Sequence, residues 1–387
     1  MAPVPAPSSE HTSLLVIGAG PYGAATAAYA RARGIDTMIV GKPMALWRDH
    51  MPAGMFLRSG PDWHLDAAGV HTFAAFLEER HTPLAAVDPV PIATFLEYAD
   101  WFIAQKELAI RDDRVTRLTR VGGRFEAELA SGARVIAERV VSATGIARFQ
   151  RLPDWASTLP DGLAVHTCDL VDFASTRDQR LLIVGGRQSA YEWAALASDH
   201  GAARIDVVHR HPTPRFEKVS WRFVDPYIEQ TLTERGWWRR LSAERRESIA
   251  REFWEVGRLT LEAWLTPRLP PDRVIRRPET TVSRVVAAGA RGVTVALSTG
   301  EQLETDGIVF ATGYEPKLAN LTYLAPLADG VAQLDDFPLL DEDFQSTIAG
   351  LYFTGFAAAR DFGPFFGFTR GCPAAASIVV DALLRAS

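Results

Sequence analysis

Gly18, Gly20 and Gly23 stand in the spacing G-x-G-x-x-G within Leu14-Leu15-Val16-Ile17-Gly18-Ala19-Gly20-Pro21-Tyr22-Gly23. The chemistry open to that spacing is the binding of a pyrophosphate. The first glycine permits a tight turn, the second lets a phosphate approach the backbone, and the third lets helix and strand pack closely. Free N–H groups at the start of the following helix, and the helix dipole, attract the anion. A second loop, Leu181-Leu182-Ile183-Val184-Gly185-Gly186-Arg187-Gln188-Ser189-Ala190, repeats the first at an offset of 167 (185 − 18). Ala190 at the third glycine position is a tolerated variant. Arg187 at the second is not, for a backbone that must touch pyrophosphate. Either Arg187 grips a phosphate held further out, as its bidentate fork suits, or the site is degenerate; the first is favoured.

The elements that must position these loops follow from pattern. Residues 14–17 are wholly apolar, as a parallel strand buried on both faces requires. Residues 36–40 read as the next strand. Residues 73–80 and 92–106 carry helical apolar spacing. Residues 114–121, 124–130 and 134–141 read as three strands turned at Gly122-Gly123 and Ser131-Gly132, ending in Ala143-Thr144-Gly145. Residues 124–145 align without a gap on 292–313, an offset of 168 (313 − 145), placing Gly132 on Gly300 and Ala143-Thr144-Gly145 on Ala311-Thr312-Gly313. The chain is therefore expected to hold two dinucleotide-binding units.

Residues 205–208 read as a strand ending in His209-Arg210. A basic residue there suits the 2′-phosphate of NADP, whereas an acid would favour NAD; the competing reading is a solvated strand end. Residues 215–271 have no counterpart in the first half and hold five of the ten tryptophans. Residues 243–265 read as helix, stopped by Pro267 and Pro270-Pro271. The segment is either a subdomain with its own core or an aromatic lid over a substrate. Adjacent Trp237 and Trp238 cannot share one helix face, so one is expected to meet a partner or ligand. Residues 351–355 read as a last buried strand and 373–386 as a closing helix.

A chain of 387 residues with 47% hydrophobic and 23% charged residues is an ordinary globular composition of two to three domains. A net charge of −6 argues against a nucleic-acid or anionic-membrane partner. The two cysteines, Cys168 and Cys372, form no C-x-x-C, so a dithiol centre is not expected and a reducing, cytoplasmic setting is. Residues 1–13 are expected as a flexible tail and not a signal peptide. No apolar run is long enough to span a bilayer. The nine histidines are scattered, and His64 and His71 lack a third ligand, so no metal is expected.

The 18–23 loop, Trp47-Arg48, Gln188-Ser189-Ala190 and Phe310-Ala311-Thr312-Gly313-Tyr314 together resemble single-component flavin monooxygenases with two dinucleotide sites. That family includes microsomal-type, Baeyer–Villiger and N-hydroxylating enzymes. The stretch Met51-Pro52-Ala53-Gly54-Met55-Phe56-Leu57-Arg58-Ser59 and the 185–190 loop are similar to those of bacterial FAD-dependent urate-hydroxylase-like proteins. The family's linker fingerprint, F-x-G-x-x-x-H-x-x-x-[W/Y], is half kept. Gly162 and His166 hold the spacing, while Pro160 and Leu170 replace the aromatics. Gly41-Lys42 stands where flavin relatives often carry an acid for the ribose.

The resemblance implies an α/β fold of two Rossmann-like domains in a glutathione-reductase-like arrangement. Residues 1–150 and 316–387 would bind FAD, 151–315 would bind NAD(P)H, and 215–271 would be a helical insertion. It implies an oxidoreductase in which NADPH, rather than NADH, reduces FAD. O2 then gives a C4a-(hydro)peroxyflavin that oxygenates nitrogen, sulfur or carbon of a small molecule. A flavoprotein reductase is the alternative, and a nucleotide-binding sensor a further one. FAD is expected against Gly18, Gly20, Pro21, Tyr22, Gly23, Lys42, Trp47, Arg48, Met55, Leu57, Ser59, Val115, Thr144, Gly145, Gly355, Phe356 and Gly371. For Trp47 and Met55, core packing is the competing reading. NAD(P)H is expected against Gly185, Arg187, Gln188, Ser189, Ala190, His209, Arg210, Thr312, Gly313 and Tyr314. Arg58, Asp62, Arg360 and Asp361 are the candidate catalytic residues, with salt-bridge duty the competing reading for each.

Overall fold

In the computed structural model, which describes residues 9–218, 220–289 and 292–386, the first apolar run lies at the centre of a seven-stranded sheet. Leu14, Leu15 and Val16 are fully buried because strands flank them on both sides. Ser9–Ile17 pairs in parallel with Thr37–Val40 and with Arg134–Ser142, so that Ile17 stands opposite Val40 and Ser142. Ile110–Arg111 extends one edge, and the antiparallel strands Arg124–Leu129 and Val115–Val121 extend the other. Leu351–Phe353 returns from the far end of the chain to pair with Arg134–Ser142. The strand begins at Ser9, so residues 9–13 are not tail; the rest of the expected tail, 1–8, lies outside the described residues.

The second sheet is wholly parallel, in the order Val274–Arg277, Arg204–Val208, Arg180–Val184, Gly307–Phe310, Ala164–His166. The repeat is visible in the backbone. Gly18, at φ +105°, lies so close to the Ala143 carbonyl that any Cβ would collide with it. Gly185, at φ +139°, has the same relation to the Ala311 carbonyl, 168 residues on. The two units differ in one strand. Arg134–Ser142 runs unbroken from the antiparallel strands into the parallel sheet. Its counterpart breaks at Asp306 into Gln302–Thr305, in a separate three-stranded sheet, and Gly307–Phe310. Arg180 pins that break: its backbone N–H and guanidinium donate to the Asp306 carboxylate at 2.8–3.2 Å.

The expected 243–265 helix is shorter. It runs from Ala243 to Gly257, capped by the Ser242 hydroxyl, and a two-residue strand, Thr260–Leu261, pairs with Arg215–Phe216. The helix stops where Gly257 presses on the Trp221 ring and where Arg58 collects the orphan carbonyls. Its Nη1 donates to Gly257 O at 2.6 Å and its Nη2 to Thr260 O at 2.8 Å. A cation on unpaired C-terminal carbonyls also complements the helix dipole.

The insertion does not build a core of its own. Trp221, Val224, Ile228, Trp237, Trp238, Ile249 and Phe253 join the core of the first unit, although the segment departs from and returns to the second sheet. It is a roof spanning the two. Trp237 and Trp238 do not leave one ring for a ligand. Both are buried, Trp237 donating to Thr231 Oγ1 at 2.7 Å and Trp238 to Arg360 O at 2.9 Å, with Phe365 packed against both. The helix carrying them, Trp237–Arg240, is a single turn, too short to have a solvent face for either.

Candidate active site

The two glycine loops open helices whose N-termini are bare. No side chain caps Pro21–Ala32 or Gln188–Asp199, and neither has an acid in its first turn. Such ends hold unsatisfied N–H groups and a positive partial charge. Around the first loop the walls are shaped for a close ligand. A Cβ on Gly23 would strike Gly18 O, whereas the space beside Gly20 is open. The missing acid at position 41 has a steric reason: a Cβ there would stand 2.9 Å from the Ala19 nitrogen. Tyr22 draws three distant segments together. Its phenol donates to the Phe366 carbonyl and to the Phe368 carbonyl at 2.8 Å, and its ring and hydroxyl abut Gly355 and Gly371. The cradle therefore fits an elongated diphosphate ligand.

Other residues of the first set are placed unevenly. Trp47 meets Phe95 edge-on at 4.6 Å at the margin of the core. Lys42 pairs with Asp49 at 2.6 Å, and Arg48 with Asp100 at 2.6 Å, so both cations already hold carboxylates. Met55 packs on the core of the second unit, and Leu57 is buried in that of the first. Ser59 is half-buried. Val115 is buried on the outermost strand of the first sheet. Thr144 and Gly145, at φ +70°, follow the strand end beside Gly18. Phe356 lies 6.1 Å from Phe149.

At the second loop the Arg187 guanidinium lies 4.0 Å from the centre of the Trp254 ring. Burial and the neighbouring Arg210 and Arg151 lower its pKa. Gln188 Oε1 accepts from Glu262 N at 3.3 Å, and its amide donates to Glu192 at 3.5 Å. Glu192 also accepts from Phe56 N at 3.3 Å, and full burial raises its carboxyl to about 7. Ser189 is exposed and Ala190 buried. His209 turns inward, with Nδ1 donating to His211 O at 2.7 Å and Nε2 accepting from Tyr191 at 2.9 Å, and burial lowers its pKa. Arg210 turns outward. Thr312 donates to Arg151 O, and Gly313 O accepts from His166 Nε2 at 3.1 Å, beside the Tyr314 ring. The half-kept fingerprint thus clasps the end of the second unit through His166.

Each of the four charged candidates holds an ion pair. Arg58 is spent on the roof helix and on Glu262 at 3.4 Å. Asp62 binds Arg370 through both oxygens at 3.1 Å and Arg222 at 3.4 Å, while Arg370 also holds Asp225. Burial opposes ionisation of Asp62, but these cations hold its pKa below the usual value. Arg360 pairs with Asp361 at 2.8 Å, and Asp361, buried, accepts from Leu340 N at 2.8 Å. The first pair ties roof to base; the second ties the approach to the closing helix, Cys372–Arg385, to the 340 loop.

Sequence reasoning missed Glu192, Trp254, Arg258 and Arg370. Glu192 had a signal in its place four residues after Gln188, on the same helix face. Trp254 and Arg258 likewise stand four apart, 5.0 Å from ring centre to guanidinium, but Phe368 and Arg187 reach them from remote segments, as Asp62 reaches Arg370. Among the described residues one group has metal-ligand geometry: His50, Cys168 and Asp169, with ligand atoms within 4.8 Å of one another. His50 Nδ1 is already 2.9 Å from Cys168 O.

Two sheets built on parallel strands, each with a glycine loop locked under an Ala-Thr-Gly carbonyl, define a nucleotide-binding oxidoreductase of the two-dinucleotide type. Residues 15–253 match the model of the pyridine nucleotide-disulphide oxidoreductase family, and the chain belongs to it. It is 33% identical over 160 residues to the FAD-dependent urate hydroxylase of Xanthomonas campestris pv. campestris, covering 38% of this chain and 33% of that protein. It is 27% identical over 218 residues to the ferredoxin–NADP reductase of Thermus thermophilus, covering 55% of this chain and 57% of the reductase. The fold is that of the ornithine N-hydroxylase of Kutzneria sp. 744, described with reduced FAD, NADP+ and L-ornithine. The TM-score is 0.80 at 16% identity, over 97% of this chain and 99% of that one. Among the described residues no helix is long and apolar enough to cross a membrane.

Proposed function

We propose that this protein is an FAD-dependent monooxygenase that uses NADPH and O2 to oxygenate a small organic molecule. The observation that carries the reading is the doubled cradle: two bare helix N-termini under equivalent carbonyl contacts, joined by one roof. FAD held there would supply a hydride acceptor for the nicotinamide and the reactivity of a reduced ring toward O2. The chain's own residues do the rest. Gly18, Gly20 and Gly23 admit the FAD diphosphate, and Tyr22 holds the Gly355 and Gly371 segments against it. Arg187 takes the nucleotide diphosphate at the second loop, and Arg210, exposed at the strand end, takes the 2′-phosphate. The closing helix, uncapped at its N-terminus, favours negative charge in front of it. Arg58 and Asp62 act as positioning residues: they hold the roof down and so exclude water from the reaction.

The test is anaerobic reduction by NADPH followed by mixing with O2 in a stopped-flow instrument. Reoxidation through a spectrally distinct third species, and 18O from 18O2 in a product, supports the oxygenase. The match to a ferredoxin–NADP reductase makes direct reoxidation the outcome that would assign a reductase instead.

A further inference from the structure

Arg258 ends the roof helix and is an unpaired charge near the two loops. Its guanidinium makes no ion pair or hydrogen bond with any described residue, and its Nε is buried without a partner. What surrounds it is aromatic: Phe368 at 4.7 Å, Trp254 at 5.0 Å and Phe253 at 5.9 Å from ring centre to guanidinium carbon. Its charged neighbours are Arg187 and Arg58, both cations. A second orphaned donor stands close by. Trp221 Nε1 is buried without a partner among the described residues, on a ring that packs against the same Phe253 and Phe368. Burying an unpaired cation beside two like charges is costly, and an anion removes the cost.

The position has meaning. Phe368 gives its carbonyl to Tyr22 of the first glycine loop, and Trp254 carries Arg187 of the second. Arg258 therefore stands between the two loops, and Trp254, 36% exposed, leaves a way in from solvent. Arg187, in the loop itself, is placed for a diphosphate. Arg258 is one aromatic ring further away, under the roof and against the first unit.

We infer that Arg258 anchors the acidic group of an organic acid substrate, a small planar carboxylate or comparable anion whose ring packs among Phe253, Trp254 and Phe368. Calling the ligand a substrate rests on the monooxygenase reading. The apolar rings hold a flat body, the guanidinium selects the anion, and the orphaned indole N–H donates to a further polar atom. A neutral ligand of the same shape leaves Arg258 unpaired and is rejected.

The experiment uses the FAD-loaded protein and two isosteric probes, benzoate and benzamide, followed by tryptophan quenching and by the visible flavin spectrum. Benzoate should bind at least about tenfold more tightly than benzamide, the scale of one charge-assisted hydrogen bond. Arg258→Gln should cost benzoate about tenfold more affinity than it costs NADPH, and Arg187→Gln should show the reverse order. Arg258→Lys should restore part of the selectivity. Equal binding of the two probes to the unaltered protein overturns the proposal. So does a loss of NADPH affinity in Arg258→Gln that matches the loss of benzoate affinity, which would assign the anion to the nucleotide diphosphate. If Arg258→Gln does not retain FAD, Arg258→Lys and the benzoate-to-benzamide ratio of the unaltered protein decide. Failure of NADPH and NADH to reduce the flavin would sink the monooxygenase reading, yet leave the probe result to judge Arg258 by itself.

Discussion

Gly18 shows how much one position can decide. It needs φ +105° and lies against the Ala143 carbonyl, two demands no side chain meets. Gly18→Ala should lower stability by about 3 kcal/mol or more through strain and collision. FAD-to-protein ratio after gel filtration and the thermal midpoint read this directly, and a fully loaded, unshifted variant would contradict it. Glu192 makes a pH prediction. Its folded carboxyl titrates at about 7, above its ordinary value, so the folded state binds the extra proton between about 4.5 and 7. Stability from this group is therefore complete below the unfolded pKa and declines as pH rises through 7. Glu192→Gln, which keeps an acceptor for Phe56 N–H, should match the parent near pH 5 and exceed it by about 1–3 kcal/mol near pH 8. Melting curves across that range test it; parallel curves would mean the carboxyl is not held neutral.

At the scale of elements, the roof is the feature to perturb. Arg58 caps the Ala243–Gly257 helix from a different unit, so Arg58→Ala uncovers two carbonyls and strands Glu262. The expected loss is about 2–4 kcal/mol. A loosened roof should also admit water, raising hydrogen peroxide released per NADPH consumed. Asp62→Asn, which weakens the Arg370 and Arg222 pairs, should raise peroxide release more than it weakens FAD binding. Arg360→Ala, acting on the Asp361 pair and on a longer pair to Asp335 away from the roof, should raise it less. Peroxide and NADPH assays on the three variants rank them; equal coupling in all would remove the roof from the mechanism.

For the whole molecule, the two units should divide the nucleotides between them. Arg210→Ala should raise the KM for NADPH about tenfold or more and leave that for NADH within about twofold, because only NADPH offers a phosphate to pair. Steady-state rates of flavin reduction with each nucleotide decide, and an equal effect on both would place the 2′-phosphate elsewhere.

Much of this architecture is local and was legible for that reason. Apolar runs of four residues, glycines at fixed spacing and an offset of 168 between Ala143 and Ala311 suffice for the central parallel strands of two sheets and their loops. Those signals depend on backbone sterics and strand period, which a few neighbouring residues settle. The choice between the two readings of the insertion was not legible because its partners are remote. Whether Trp221 and Trp237 fill their own core or another's depends on Phe365 and Phe368, more than a hundred residues on. The roles of charged residues were equally out of reach. Nothing near Arg58 in sequence announces that it will cap a helix two hundred residues away, nor near Arg258 that no carboxylate will meet it. Sequence alone determined which nucleotide cradles the chain can build. Tertiary structure decided which charges are spent on ion pairs and which stay unpaired among the described residues, because ion pairing and desolvation depend on what the fold brings within a few ångströms.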